Sequence, residues 1–163
     1  MSEVTATFHR LAGDLDSSMF IVTAAAAGER SGCLVGFATQ TSIEPPRMLV
    51  CISRQNHTHR VAAAADRLGV HVVPADRAEL AELFGGQTGD EIDKFARCRW
   101  EPHAGGVPVL LDCGSWLVGA VLERLDLGDH EGFLLEPVEA RFDERGRELG
   151  YHRARRIQAG HEA

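Results

Sequence analysis

The chain has 163 residues, 44% of them hydrophobic and 25% charged, which is the composition of an ordinary globular chain with enough length for one sizeable core. Its formal charge of −7 opposes nonspecific nucleic-acid binding, which needs clustered cations. No apolar run approaches the roughly 20 residues of a membrane helix, and residues 1–15 lack a basic segment followed by an apolar one, as a secretory leader would have. The expectation is a single cytoplasmic domain over residues 1–163, with no nucleic-acid and no membrane partner.

Met19 to Ala24 is β-branched and aromatic and is predicted as a strand. Gly28 to Gly32 carries turn chemistry, so Cys33 to Ala38 is predicted to return as the second arm of a hairpin. Pro45 and Pro46 cannot donate to a ladder and break the pattern before a third strand, Arg47 to Ser53. The alanine-rich stretch from Asn56 to Leu68 predicts a helix, capped by Asn56 or Thr58 and closed by Gly69 in a left-handed conformation. Gly69 to Val73 reads as a short strand. Asp76 to Phe84 reads as a second helix, with Leu80, Leu83 and Phe84 at helical spacing.

Gly85 to Gly89 is glycine-rich, but Asp90 and Glu91 follow it instead of a lysine, so it is neither a P-loop nor a dinucleotide fingerprint. It reads as a loop able to cover a ligand, followed by a helical turn from Asp90 to Phe95 in which Asp90 and Lys94 have surface-pair spacing. Pro108 to Asp112, Ser115 to Arg124 and Gly132 to Phe142 are three further predicted strands. Beyond about residue 143 the chain is charged, and the tail is expected to fray or to pack on a neighbouring subunit. Many strands, few short helices and no regular strand–helix alternation predict a mainly β antiparallel barrel.

The four cysteines form no close pair; Cys33, Cys51 and Cys113 sit in apolar contexts that suit reduced, buried thiols. Cys98, His103 and Cys113 could be drawn into a zinc site but lack the close ligand pairing of structural zinc centres. His57 and His59, two residues apart, do not share a helix face and make a poor metal pair.

Three segments carry candidate binding chemistry. Arg54 to Thr58 stands before a helix N-terminus, where unpaired N–H groups can hold a phosphate; the simpler alternative is a capped helix with a surface arginine. Gly36 to Ser42 offers hydroxyls, backbone donors and the aromatic face of Phe37, or else it is an edge strand satisfying its own backbone. His130, between Asp129 and Glu131, is the histidine best suited to proton transfer, or a solvated turn residue.

In this order the segments resemble the flavin reductase-like family of FMN-binding split barrels, with the similarity running from about Met19 to Pro137. Gly32 to Pro46 is similar to that family's Gly-Met-Thr-Ala-Asn-Ser-Phe-Thr-Ser-x-Ser-x-Asp-Pro-Pro, and Gly128-Asp129-His130 to its Gly-Asp-His. The resemblance implies an antiparallel Greek-key split β-barrel with short helices. It also implies an oxidoreductase passing a hydride from NAD(P)H to FMN, and a cofactor that carries the chemistry. On that match Gly36, Phe37, Ala38, Thr39, Gln40, Thr41 and Ser42 line the flavin's ring and ribityl portion. Ser53, Arg54, Asn56, His57 and Thr58 hold its phosphate, while Phe84, Lys94 and Phe95 belong to a loop closing near the ligand. His130 lies near the nicotinamide. The resemblance further implies a homodimer, with the tail from Tyr151 completing the neighbour's site, and a monooxygenase partner that consumes reduced flavin. Gly36 and Phe37 stand where the family has Asn-Ser, which removes polar contacts that typically contribute about 0.5–1.5 kcal/mol each. The alternatives are FAD, deazaflavin F420 or haem in the same fold, a cofactor-binding module without turnover, or an interaction domain.

Overall fold

The computed structural model describes residues 1–87 and 92–157. In chain order the elements are α1 (Glu3–Asp14), β1 (Phe20–Ala26), β2 (Glu29–Val35), β3 (Ala38–Ser42), β4 (Arg47–Ser53), α2 (His57–Ala63), β5 (Arg67–Val72) and α3 (Ala78–Gly85). A 3-10 turn (Lys94–Arg97) follows, then β6 (Trp100–Pro102), β7 (Pro108–Leu110), β8 (Trp116–Asp126), β9 (His130–Arg141) and α4 (Tyr151–Ala154). Seven strands form one antiparallel sheet in the order β2-β1-β5-β8-β9-β4-β3, and β6 pairs with β7 alone.

This order forces the sheet to curl. Laid flat, its two edges would stand roughly 29 Å apart at the usual strand spacing. Yet β2 and β3 are those edges, and only Gly36 and Phe37 join them, a link reaching about 11 Å at most. The sheet therefore wraps into a barrel left open between β2 and β3. Phe37 continues the β3 side of the opening, its carbonyl accepting from the N–H of Cys51 in β4 at 2.8 Å. The fold is mainly β and antiparallel with short helices, as expected from the sequence.

Two cores explain the unbroken apolar character of β1. Val22 and Ala24 point into the barrel with Val50, Ile52, Leu68 and Phe133, and Val61 and Ala62 of α2 plug the interior. Ile21 points outward into a second core with Leu80, Phe84, Phe95, Leu110 and Leu149. Complete burial of such a side chain contributes roughly 1.5–3 kcal/mol, so β1 anchors both layers.

Two expectations are corrected. The first hairpin turns at Ala27 and Gly28, both at positive φ (49° and 78°), rather than across Gly28 to Gly32. Gly32 instead lies within β2, where a Cβ would come within 2.8 Å of the Phe84 ring; glycine permits the close approach of α3. The alanine-rich helix stops at Ala63, and Gly69 is not its C-cap but the middle of β5. There a Cβ would meet Thr23 Oγ1 at 2.4 Å, the hydroxyl that donates to Pro108 O at 2.6 Å.

Residues 3–14 form α1, capped by Ser2, whose side chain accepts from the N–H of Thr5. The tail, as far as it is described, packs on its own chain. Leu149 exchanges backbone hydrogen bonds with Met19 and Val73, Tyr151 N–H donates to Ser17 O, and Leu149 and Ala154 are buried in the outer core.

Candidate functional site

A cavity of about 560 Å³ opens where β2, the Gly36–Phe37 link, β4 and the start of β9 converge. The open seam of the barrel thus becomes a slot. Leu34, Val35 and Phe84 make its apolar wall, α1 faces it with His9, Ala12 and Gly13, and the tail with Tyr151 and Ile157. Polar groups converge from two sides: Ser53 and Asn56 after β4, and His130 at the head of β9. Sheet register brings Ser53 and His130 together, since they are paired residues of β4 and β9.

His130 is oriented by its neighbours. Its Nδ1 lies 2.7 Å from Asp129 Oδ1, and its ring centroid lies 5.0 Å from that of Phe37. The hydrogen bond from His130 holds the Asp129 carboxyl below its ordinary pKa, so a carboxylate faces Nδ1 at neutral pH. With Nδ1–H donated to Asp129, Nε2 is the ring atom left to meet a ligand. Phe37 is 64% exposed despite its size, an apolar ring held open at the slot.

The expected phosphate segment is divided between two surfaces. Asn56 caps α2, its Oδ1 accepting from Thr58 N–H at 2.9 Å, and the Thr58 hydroxyl is buried against Ser31 Oγ at 2.8 Å. Arg54 turns the other way: Nε donates to Gly128 O and Nη2 to Asp126 Oδ1 at 3.0 Å, which fastens the β8–β9 turn. His57 pairs with Glu29 and His59 with Glu131, so α2 is strapped to β2 on one side and β9 on the other.

Lys94 is a charged residue that is only 5% exposed, with Nζ donating to Gly32 O at 3.2 Å and Phe84 O at 2.9 Å. Burial lowers its pKa, and it has no carboxylate partner among the described residues. Phe84 and Phe95 stack edge to face behind it, with centroids 5.7 Å apart. The adjacent Cys33 thiol is pushed up to about 11 by burial and is inert rather than nucleophilic at neutral pH.

Of the expected site residues, Gly36, Phe37, Ser53, Asn56, Phe84 and His130 meet at the slot, while His57, Lys94 and Phe95 line an adjoining cavity. Thr39, Gln40 and Thr41 do not join either. They lie exposed on the edge strand β3, where Thr39 Oγ1 donates to Gln40 O and Gln40 Nε2 to Ser42 O. Ala38 and Ser42 are half-buried at the ends of that strand. Asp90, the expected partner of Lys94, lies outside the described residues. His103 is clamped between Glu101 and Glu139, and no three metal-ligating side chains converge among the described residues. Sequence reasoning missed the slot's far wall in α1. Its signal was the helical spacing of Val4, Phe8, Leu11 and Leu15 behind the Ser2 cap.

Comparison with known proteins agrees with this architecture. The family model described as a flavin reductase like domain matches residues 12–160. The reductase component of a 4-nitrophenol 4-monooxygenase/4-nitrocatechol 2-monooxygenase from Rhodococcus opacus is 31% identical over 150 residues, covering 92% of this chain and 78% of that protein. The reductase component of 4-hydroxyphenylacetate 3-monooxygenase from Pseudomonas aeruginosa is 28% identical, covering 88% and 85%. Among solved structures, a flavin reductase domain protein from Arthrobacter superposes with a TM-score of 0.81 at 26% identity, covering 90% of each chain. The chain belongs to the flavin reductase-like family.

Proposed function

We propose that this chain is a flavin reductase that uses NAD(P)H to reduce FMN or FAD and supplies reduced flavin to a separate monooxygenase. The observation that carries the reading is the slot at the barrel seam, apolar along one wall and polar where Ser53, Asn56 and His130 converge. A flavin has the same division, a flat ring with a polar edge and an anionic tail. Lys94 fits that tail: an ammonium buried beside the slot, with no carboxylate partner among the described residues, is offset by a phosphate.

Bound there, flavin supplies the ring nitrogen that accepts hydride from a nicotinamide. The protein's contribution is placement. Leu34, Val35 and Phe84 exclude water from one wall, and Phe37 offers an aromatic face at the mouth. Asp129 holds the His130 ring in orientation, leaving Nε2 to position a nicotinamide carboxamide or to hold a proton. Ser53 and Asn56 present polar edges, while Arg54 acts at a distance by fixing the turn that carries Asp129 and His130.

The exposed edge of β3 and the apolar side chains Ile43, Phe8 and Leu11 suit a homodimer in which a second copy covers them. In that assembly Thr39, Gln40 and Thr41 reach flavin from the interface. No described helix is long and apolar enough to cross a membrane; a single domain acting in the cytoplasm accords with the reading. The two monooxygenase reductase components among the relatives support the proposed partner.

Purified protein titrated with FMN, FAD and riboflavin, and assayed for NADH and NADPH oxidation with each, tests the proposal. Binding with turnover is expected. No binding of any flavin overturns it, and binding without oxidation of either nicotinamide leaves a cofactor-binding module.

A further inference from the structure

Two features hold the seam of the barrel. At one level Gly36 and Phe37 join β2 to β3 through the chain itself. β3 pairs with β4 from Arg47 to Val50, so the half of β4 that lines the slot, with Cys51 and Ser53, has no β3 residue paired beside it. At the other level stands α2, which crosses from one side of the opening to the other.

Towards β2, His57 Nε2 donates to Glu29 Oε1 at 3.0 Å, and the Thr58 hydroxyl meets Ser31 Oγ at 2.8 Å. Towards β9, His59 Nε2 donates to Glu131 Oε2 at 2.6 Å. The His59 ring also packs edge-on to Phe133, with centroids 6.5 Å apart. A continuous ladder fixes strand spacing at about 4.8 Å inside a sheet. Across the seam these side chains take over that task.

The bond to β9 has a defined place relative to the slot. Glu131 follows His130 and pairs in register with Ile52, whose side chain enters the barrel core. Successive residues of a strand point to opposite faces, so Glu131 lies behind the histidine that faces the slot. His59 lies about one helical turn beyond the cap residue Asn56. The pair His59–Glu131 thus ties together the two elements that present Asn56 and His130, while lining no part of the slot itself. Side-chain exposures of 18% and 17% shield it from water, where a hydrogen bond to a carboxylate is stronger than on an open surface.

We propose that α2 is a crossbar that sets the width of the slot, with His59 and Glu131 as the positioning residues that fix it on the side of His130. The ligand in this proposal rests on the flavin reading of the slot, whereas the crossbar is testable without it.

The full chain is compared as wild type, His59→Ala, Glu131→Ala, the double variant, Glu131→Asp and Glu131→Gln. Glu131→Asp keeps the charge and shortens the strut; Glu131→Gln keeps the length. His103→Ala is the control, since it removes a histidine clamped by Glu101 and Glu139, and none of the three lines the slot. Maleimide labelling is followed at Cys33 and Cys51, which line the slot, against Cys113 in the outer core. Flavin affinity, the rate of flavin reduction by NADH and the urea midpoint are measured beside it.

His59→Ala, Glu131→Ala and Glu131→Asp are expected to label Cys33 and Cys51 at least about fivefold faster than wild type, with Cys113 unchanged. The same variants are expected to weaken FMN and riboflavin alike and to slow reduction about tenfold. The double variant is expected to match the singles, as coupled partners do, and Glu131→Gln to stay within about twofold of wild type. His103→Ala is expected to lower the urea midpoint alone. Wild-type labelling and affinity in His59→Ala and Glu131→Asp overturn the crossbar, as do losses that add in the double variant or recur in His103→Ala. Equal losses in Glu131→Asp and Glu131→Gln trace the effect to charge instead of spacing and overturn it too. If the alanine variants do not fold, Glu131→Asp against Glu131→Gln decides the matter. Failure of wild type to bind any flavin removes the flavin reading, and labelling then decides the crossbar by itself.

Discussion

Phe37 and His130 pack with ring centroids 5.0 Å apart at an interplanar angle of 49°. One residue belongs to the link that joins the barrel's two edges, the other to the head of β9, so their contact sits where the sheet fails to close. The hydrogen bond from Nδ1 to Asp129 then fixes the imidazole from the opposite side. A ring clamped in this way faces a ligand with one nitrogen only.

His130→Ala is expected to slow flavin reduction by NADH at least about tenfold while changing FMN affinity less than about threefold. Asp129→Asn, which keeps the shape but removes the charge facing Nδ1, is expected to give a smaller loss of the same kind. Stopped-flow reduction beside equilibrium titration checks both. An unchanged reduction rate in His130→Ala removes the residue from the mechanism.

Stability has a pH dependence whose sign is set by His71. The ring is fully buried; Leu110 N–H donates to Nε2 at 3.0 Å, so Nδ1 carries the proton toward Ile21 O at 2.9 Å. Desolvation lowers its pKa from 6.5 to about 4. The unfolded chain therefore binds this proton first, and stability falls as pH drops from about 6.5 towards 4, by up to about 3 kcal/mol. His103 has the opposite sign: hydrogen bonds to Glu139 and Glu101 raise its pKa, and its contribution is lost as pH rises. Urea unfolding across this range is expected to show a shallower acid slope in His71→Asn than in wild type. Equal slopes would show that His71 is not the group responsible.

Gly69→Ala is expected to destabilise the protein by at least about 1–3 kcal/mol, because the added methyl overlaps Thr23 Oγ1 and disturbs its bond to Pro108. The denaturation midpoint reads the effect. A change below about 0.5 kcal/mol would show that β1 and β5 can spread without cost.

Ala27 occupies a left-handed conformation, at φ 49°, in the two-residue turn between β1 and β2. Ala27→Asn or Ala27→Gly is expected to raise the unfolding free energy by up to about 1 kcal/mol, since both residues tolerate that region better. Thermal unfolding checks it, and a fall in Tm for both variants would contradict the turn assignment.

The strands were legible where side-chain type decides them. β-branched runs mark β1 and β4, and long alternating segments mark β8 and β9. Glycine misled twice, at Gly32 and Gly69, because both serve close approach between elements distant in sequence and neither serves a turn. The helix α1 was overlooked although its spacing is helical, since its apolar residues bury nothing and the strand pattern dominates. Within the site, His130, Ser53 and Asn56 were readable as chemistry-bearing types. The Arg30–Trp100 stack beside it was not, because Trp100 is far along the chain and meets Arg30 only in the fold.

The most direct measurement is anaerobic mixing of flavin-loaded protein with NADH or NADPH while the flavin's visible absorption is followed. The account predicts loss of the oxidised band with one flavin reduced per nicotinamide consumed. Flavin that binds but stays oxidised with both nicotinamides would contradict it.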